Sequence, residues 1–295
     1  MNGLENCICS APLKRKPFSE HFDSMYCSAC GSSRFVAANR HGNAAPEFQY
    51  DGNNEKYADK GYLHGKQLRW AHLELLRLNW SGRKVLEIGC FNGFFLDELR
   101  QRGADVHGFD VNCAAITVGE ELFGLSGRLV TSLDRLAAQG PFDDILCIDV
   151  LEHLDQPNAF LQELQDLLKT TGRVVVAGPT LERGFHDKSD FPPHHKWWFS
   201  RPGLRSLLQH SGFEVLETSI QRDGMLFVRN FIGKALTGIS NREFYGQTAI
   251  NAPNVESAAH RMLYASLNAL GTVVFTLLRI SYCSAIFIAQ KARQP

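Results

Sequence analysis

The run Val85-Leu86-Glu87-Ile88-Gly89-Cys90-Phe91-Asn92-Gly93-Phe94-Phe95 constrains this chain more than any other segment. Its first apolar stretch reads as a buried strand and its second as the start of a helix. Between them stand two glycines four apart, with an acid two residues before the first. Glycines in a strand-to-helix turn let bare backbone approach a ligand at the carboxyl end of a strand, where open α/β sheets bind nucleotides. The spacing is neither the G-x-G-x-x-G of dinucleotide folds nor the G-x-x-x-x-G-K of phosphate loops. No lysine follows the second glycine, so nothing points to a triphosphate.

The same alternation continues along the chain. Strands are predicted at 84–88, 105–109, 128–131, 144–148, 173–177 and 213–219. Helices fall between them: one from Phe94 to Arg102, one capped by Asn112, one opening at Pro157, one capped by Ser200. The run Ile145-Leu146-Cys147-Ile148 is continuously apolar, as in a strand buried on both faces. A helix from 63 to 78 leads in. The pattern predicts an α/β fold with a doubly wound, mostly parallel sheet. The expected organisation is a cysteine-rich module over 1–40, a linker and lead-in helix over 41–80, the sheet domain over 81–220, and a C-terminal helical insertion with a last strand over 221–295. Residues 262–278 are strongly apolar but too short to span a bilayer. They read as a core or interfacial helix, the alternative being peripheral contact with a membrane surface.

Lys+Arg and Asp+Glu are both 31, so no broad positive surface offers itself to nucleic acid. The cluster Lys14-Arg15-Lys16 reads as a solvated loop. The first thirty residues lack an apolar leader segment, so the expected location is cytoplasmic, with the inner face of the membrane as the alternative. Of eight cysteines, four lie in the first thirty residues: Cys7, Cys9, Cys27 and Cys30. Cys90, Cys113, Cys147 and Cys283 sit among apolar neighbours and read as reduced core thiols.

Clustered cysteines without a leader favour a metal over disulfides. Cys27-Ser28-Ala29-Cys30-Gly31 places two thiolates on one tight turn. Cys7-Ile8-Cys9 is one residue short of the usual pair, yet the two turns can complete a tetrahedral zinc site of four thiolates. His21 is a substitute ligand for Cys7 or Cys9. The other reading is four free thiols on a flexible tail.

Asp110 ends the second strand, twenty-one residues after Gly89. An acid there can accept hydrogen bonds from ribose hydroxyls. The fourth strand runs Asp144-Ile145-Leu146-Cys147-Ile148-Asp149-Val150-Leu151-Glu152-His153. With Glu-x-Gly-x-x-x-Gly, these segments resemble motif I, the acidic strand end and motif IV of class I S-adenosylmethionine (SAM) dependent methyltransferases, over about residues 60–220. Phe91 stands where that family usually has a glycine. The resemblance implies a Rossmann-like sheet whose last strand is antiparallel. It implies that Glu87 neighbours the SAM amino group, Gly89 and Gly93 admit the backbone, Asp110 binds the ribose and Val111 packs on adenine. Ser132 and Leu133 would flank the adenine, and Ile148 and Asp149 would lie under the methionine portion. Leu68-Arg69 resembles the lead-in of the ubiquinone-type O-methyltransferases, which makes Arg69 a candidate for the SAM carboxylate; an exposed helix arginine is the other reading.

Methyl transfer to oxygen gains from a base near neutral pKa, which points to histidine. His153 follows the fourth strand. His194 and His195 lie in Asp190-Phe191-Pro192-Pro193-His194-His195-Lys196-Trp197-Trp198-Phe199, a loop of prolines, histidines and aromatics. That segment resembles one in bacterial methyltransferases of sugar and cell-surface glycan pathways, some of which carry an N-terminal zinc ribbon. The expected function is therefore SAM-dependent methylation of a small-molecule or sugar/glycan acceptor, at a hydroxyl, without a nucleic-acid partner. Two alternatives stand beside it. One is action on RNA or protein recruited through the zinc ribbon; the other is a non-catalytic scaffold.

Overall fold

The computed structural model describes residues 6–38, 68–181, 192–220 and 283–292. The predicted linker over 41–60, the start of the lead-in helix, residues 190–191 of the histidine loop and the apolar segment 262–278 lie outside them, as does the side chain of Cys283.

Three short antiparallel strands come first: β1 (Leu13–Pro17), β2 (Phe22–Cys27) and β3 (Ser33–Ala37). The basic cluster Lys14-Arg15-Lys16, expected in a loop, is the exposed edge strand β1, where Arg15 pairs with the buried Asp23 at 2.6 Å. Charge on an edge strand discourages pairing with other chains. Helix α1 (Trp70–Leu75) leads into the main sheet and stops earlier than its apolar spacing suggests. The Trp80 indole donates to Leu75 O at 2.7 Å, occupying a carbonyl that a longer helix would use.

The main sheet is built from β4 (Lys84–Ile88), β5 (Asp105–Phe109), β6 (Leu129–Val130), β7 (Phe142–Ile148), β8 (Leu168–Thr180), β10 (Phe213–Ile220) and β11 (Cys283–Lys291); the two-residue β9 (Trp197–Trp198) belongs elsewhere. Its order is β10-β11-β8-β7-β4-β5-β6. The strands from β8 to β6 are parallel, and β11 runs antiparallel to both neighbours. Helices α2 (Phe94–Gln101), α3 (Cys113–Phe123), α4 (Asp134–Ala137), α5 (Pro157–Leu167) and α6 (Arg201–His210) connect them. This is the expected doubly wound arrangement, with the last strand antiparallel. Among the described residues no helix is long and apolar enough to cross a membrane.

Strand residues alternate cleanly between two cores. Leu86, Ile145, Cys147, Val174 and Phe287 face one side with Leu161, Leu164 and Leu207 of α5 and α6. Val85, Leu146, Val175 and Ile286 face the other with Leu75, Phe95, Leu99 and Ile116 of α1, α2 and α3. Burial on both faces explains the continuous apolar runs that stood out in the sequence. The amino-terminal ends of the strands are fastened by charge: the buried Asp144 takes Arg83 and, at 2.7 Å, Arg173.

The N-terminal strands are not appended to this body. β9 pairs with β3, making a four-stranded sheet β1-β2-β3-β9. Cys7, Ile8, Cys27 and Cys30 share one core cluster with Trp197, Phe199 and Leu204.

Helix α3 approaches the glycine turn closely. A Cβ on Gly119 would stand 2.1 Å from Asn92 O, a backbone atom that cannot step aside. Gly119→Ala should therefore cost roughly 2–3 kcal/mol by overpacking. Gly127→Ala, at φ +72 but with nothing within 4 Å, should cost about 1 kcal/mol of left-handed backbone strain. Chemical denaturation of both variants checks this; equal losses would contradict the close approach.

Candidate functional site

The site is assembled at the carboxyl ends of β4, β5 and β7. The last carbonyl of β5, Phe109 O, accepts from Gly89 N at 2.8 Å and Cys90 N at 3.0 Å, which turns the chain back over the strand end. Gly89 and Gly93 both have positive φ, at 72° and 74°. A Cβ on Gly89 would sit 2.8 Å from Val150 Cγ2, and one on Gly93 2.9 Å from Leu125 Cδ1. Both positions need glycine for conformation and for space.

Phe91 takes the left-handed conformation too, at φ 54°. A side chain there costs about 1–2 kcal/mol. Asp110 offsets it: Asp110 Oδ2 accepts from Phe91 N at 2.7 Å, while Oδ1 accepts from Asn112 N at 2.8 Å. The phenyl ring packs on Ala115 and Val118 of α3. The substitution of a usual glycine is thus accommodated locally. Asn112 caps α3, its Oδ1 accepting from Ala115 N at 3.0 Å.

Glu87 is buried, and its Oε2 has no hydrogen-bond partner among the described residues. Burial pushes its carboxyl up to about 8; the nearby Asp110 charge adds to the rise and Arg69 opposes it. A buried carboxylate oxygen without a donor is costly in isolation, so it marks a place for a cationic or hydrogen-bonding ligand group. Arg69 reaches the site from the residue before α1 and forms an ion pair with Asp149. Asp149 has φ 52° and donates its N–H to Ala177 O at 2.8 Å. Beside Arg69, His72 is buried against Phe94 and Phe95 and held down to about 4 by burial. Val111 is 49% exposed next to Asp110, an apolar surface facing outward. Ser132 and Leu133 follow β6 at the same edge, half-buried, and Ile148 is buried at the end of β7.

A second group gathers after β7, where a 3-10 turn covers Leu151–His153. The ring of His153 meets that of His195 edge-on at 4.8 Å. His153 Nδ1–H donates to His194 O at 2.8 Å, which fixes the tautomer and places the lone pair of the neutral ring on Nε2. Burial lowers the His153 pKa, so the ring is neutral near pH 7; Asp149 acts in the other direction. His195 borders a pocket with Thr180, Leu181, Trp197, Trp198 and Phe199. The structure brings His153, His194 and His195 together. Glu152 joins them, its carboxylate within 4.8 Å of the His153 and His195 ring nitrogens. The sequence carried a signal for Glu152, its neighbour His153, but nothing to say that Gly178 leaves it room.

The four N-terminal cysteines converge, with all four sulfurs within 4.8 Å of one another. Cys7 Sγ lies 3.5 Å from Cys30 Sγ, and Cys9 Sγ 3.4 Å from Cys27 Sγ. Cys30 N–H points at Cys27 Sγ at 3.5 Å. Sharing a proton pushes the Cys7 thiol up and Cys30 down to about 4. Four sulfurs at this spacing suit a tetrahedral zinc ion. His21 is not part of the cluster. Cys90 and Cys147 are buried with raised thiol pKa values, as core thiols are. Cys113 is exposed, contrary to the expectation of a core thiol, because it opens α3 on its outer face.

Residues 62–218 match the family model described as a methyltransferase domain. The ubiquinone biosynthesis O-methyltransferase of Acinetobacter baumannii (strain AYE) is 31% identical over 140 residues, 42% of this chain and 59% of that protein. The protein of the same name from Stutzerimonas stutzeri (strain A1501) is 33% identical over 116 residues, 35% of this chain and 50% of that protein. The chain thus spans between half and three fifths of the length of these relatives. A SAM-dependent methyltransferase structure from Archaeoglobus fulgidus is similar at 21% identity, covering 79% of this chain and 100% of that one, with a TM-score of 0.48.

The raised Glu87 pKa has a consequence for stability. Between its unfolded value near 4.5 and about 8, the folded state binds a proton that the unfolded state does not, so stability falls as pH rises through that window. Glu87→Gln should therefore unfold at higher temperature than the parent at pH 8, with the advantage shrinking as pH falls toward 4.5. Calorimetry across that range checks it; an unchanged or lowered transition at pH 8 would contradict the buried carboxyl with its raised pKa.

Proposed function

The chain belongs to the methyltransferase-domain family, and on that footing we propose that it methylates a hydroxyl of a small molecule, a sugar or glycan being the favoured acceptor, with SAM as donor. The observation that carries the donor assignment is the buried Glu87 Oε2 at the end of β4, which has no hydrogen-bond partner among the described residues. When bound, SAM supplies an electrophilic methyl group on a sulfonium centre. The residues fit that group. Glu87 would accept from its amino group, and Gly89 and Gly93 would admit it to the backbone. Asp110 would bind the ribose, since a carboxylate oxygen can accept more than one hydrogen bond. Val111, Ser132 and Leu133 would enclose the adenine, while Ile148 and Asp149 would support the methionine end. Arg69 would turn from Asp149 toward the SAM carboxylate.

On the acceptor side, His195 and the half-buried Trp198 beside it support a ring-shaped substrate, with Trp197 and Phe199 packed behind them. Trp197 and Phe199 are stacked at 5.6 Å and 5°. Indole surfaces suit the faces of sugar rings, and an imidazole suits a hydroxyl. The similarity to O-methyltransferases supports oxygen as the accepting atom. In this reading a neutral histidine would take the hydroxyl proton as the oxygen gains the methyl group, the bond broken being the sulfonium S–CH3 bond and the leaving group the neutral thioether S-adenosylhomocysteine. His153, with its Nε2 unprotonated, and His195 beside it are the candidate bases, and His194 orients His153 through its carbonyl. The walls of the pocket exclude water and hold the acceptor in line. Cys7, Cys9, Cys27 and Cys30 would hold a structural zinc.

Asp110→Ala should weaken SAM binding by roughly 100-fold or more, since it removes a charged acceptor and releases the turn at Phe91. Titration calorimetry checks this; unchanged affinity would remove Asp110 from the site. His153→Ala and His195→Ala should lower turnover, by roughly 100-fold or more for the true base, at nearly constant SAM affinity. With radiolabelled SAM and nucleotide-sugar or glycan acceptors, the acid limb of kcat/KM should fall below about pH 6.5, because a depressed histidine protonates only there. Full activity in both variants would exclude both as base, and labelling of RNA or protein instead would replace the acceptor class.

A further inference from the structure

We infer that the cysteine module is the clamp that holds the acceptor-side loop in place, with Ser32 and Ser200 as the positioning residues that join the two. The inference rests on the reading of His194 and His195 as acceptor-side residues. Residues 192–196 contain no strand or helix, so their course must be set by what they touch. Besides the bond from His153 to His194 O, backbone pairing from both sides does so. Ser33 and Arg34 of β3 pair with Trp198 and Trp197, Phe35 N–H donates to Lys196 O at 2.8 Å, and Lys196 N–H donates to Glu152 O at 2.8 Å. The Phe18 and Phe35 rings close on Trp198 at 5.7 and 4.9 Å. The module therefore provides one wall of the loop and the methyltransferase body the other.

The junction to the metal-binding turn is tighter still. Gly31 N–H donates to Cys27 O and Cys27 N–H to Ser32 O, both at 2.9 Å, so the turn that presents Cys27 and Cys30 also fixes Ser32. Ser200 ends the acceptor-side loop and caps α6. Its hydroxyl donates to Cys30 O, and its N–H donates to Ser32 Oγ at 3.0 Å. With the Ser200 proton committed to Cys30 O, the Ser32 hydroxyl must be the donor in the 3.2 Å contact between the two side chains. Gly203 N–H also donates to Ser200 Oγ at 3.0 Å, completing the helix cap. Ser32 and Ser200 are both buried. Space is as restricted as the bonding: a Cβ on Gly203 would lie 2.0 Å from Ser32 Oγ. One turn thus carries two of the four sulfurs on one side and the anchor of the histidine loop on the other. A cation that gathers the sulfurs fixes the turn, and through Ser200 it fixes the loop.

The full-length protein, grown with zinc, would be followed by hydrogen–deuterium exchange as purified, after chelator treatment, and after zinc is restored. Metal removal should speed exchange across residues 192–200 by about tenfold or more and leave β4 and β7 protected, and zinc should reverse the change. Affinity for S-adenosylhomocysteine should stay within about twofold, since that site is not part of the clamp. Ser200→Ala and Gly203→Ala should loosen 192–200 with zinc still bound at full content, and Ser200→Thr, which keeps the hydroxyl and the cap, should restore protection. Unchanged exchange at 192–200 after metal removal, or equal behaviour of Ser200→Ala and Ser200→Thr, would overturn the inference. So would a protein that holds no zinc yet protects the loop. Failure of S-adenosylhomocysteine to bind the parent protein would count against the proposed function, and the exchange data would still decide the clamp.

Discussion

One carboxylate holds the ligand end of this fold together. Asp110 reaches from the end of β5 to Phe91 N with one oxygen and to Asn112 N with the other. The first bond closes the glycine turn after β4; the second shapes the turn into α3. Without them the left-handed Phe91 would lose its local support, and α3 would lose the anchor that brings Gly119 against Asn92 O. The arrangement has a cost. Asp110 sits near Glu87, and burial together with that charge keeps Glu87 protonated at neutral pH. Two acids held this close work against stability, a common compromise at sites built for a ligand.

The parallel sheet was legible in the sequence because its signals are local and redundant. Strands β4 and β5 fall where the strand–helix alternation places them, the first marked by its apolar residues before the glycine turn, and Asn112, Pro157 and Ser200 mark helix starts through capping chemistry that needs no tertiary partner. The gathering of His153 with His194 and His195 was also foreshadowed, since both segments follow strands that end on one edge. The N-terminal strands were not legible. β1 is a five-residue edge strand dominated by charge, and β9 is two residues long. β1 is completed only by its hairpin neighbour β2 and β9 only by β3, far away in sequence, and neither has a periodicity of its own. The pairing of Arg69 with Asp149 was likewise invisible, because it depends on how α1 docks across the strand ends.

The two cores divide the labour of the molecule. α1, α2 and α3 cover the face that carries Val85 and bring Arg69 and His72 toward the glycine turn. α5 and α6 cover the opposite face, and there the cysteine module joins the same apolar cluster through Cys27, Cys30 and Leu204. In the proposed reading, the donor site at the carboxyl ends of β4, β5 and β7 would adjoin an acceptor loop braced from the side of α5 and α6. In that reading the cysteines would brace the acceptor loop from behind.

The central claim is that the Glu87 carboxyl, whose Oε2 has no hydrogen-bond partner among the described residues, receives the amino group of SAM, and proton-linked calorimetry tests it most directly. At about pH 6.5 a carboxyl with a pKa of about 8 holds its proton, and docking a cationic amine should expel it. Titrations with S-adenosylhomocysteine in two buffers of unequal ionisation enthalpy should therefore give different heats, corresponding to release of close to one proton. Equal heats in the two buffers, or no binding at all, would contradict the account.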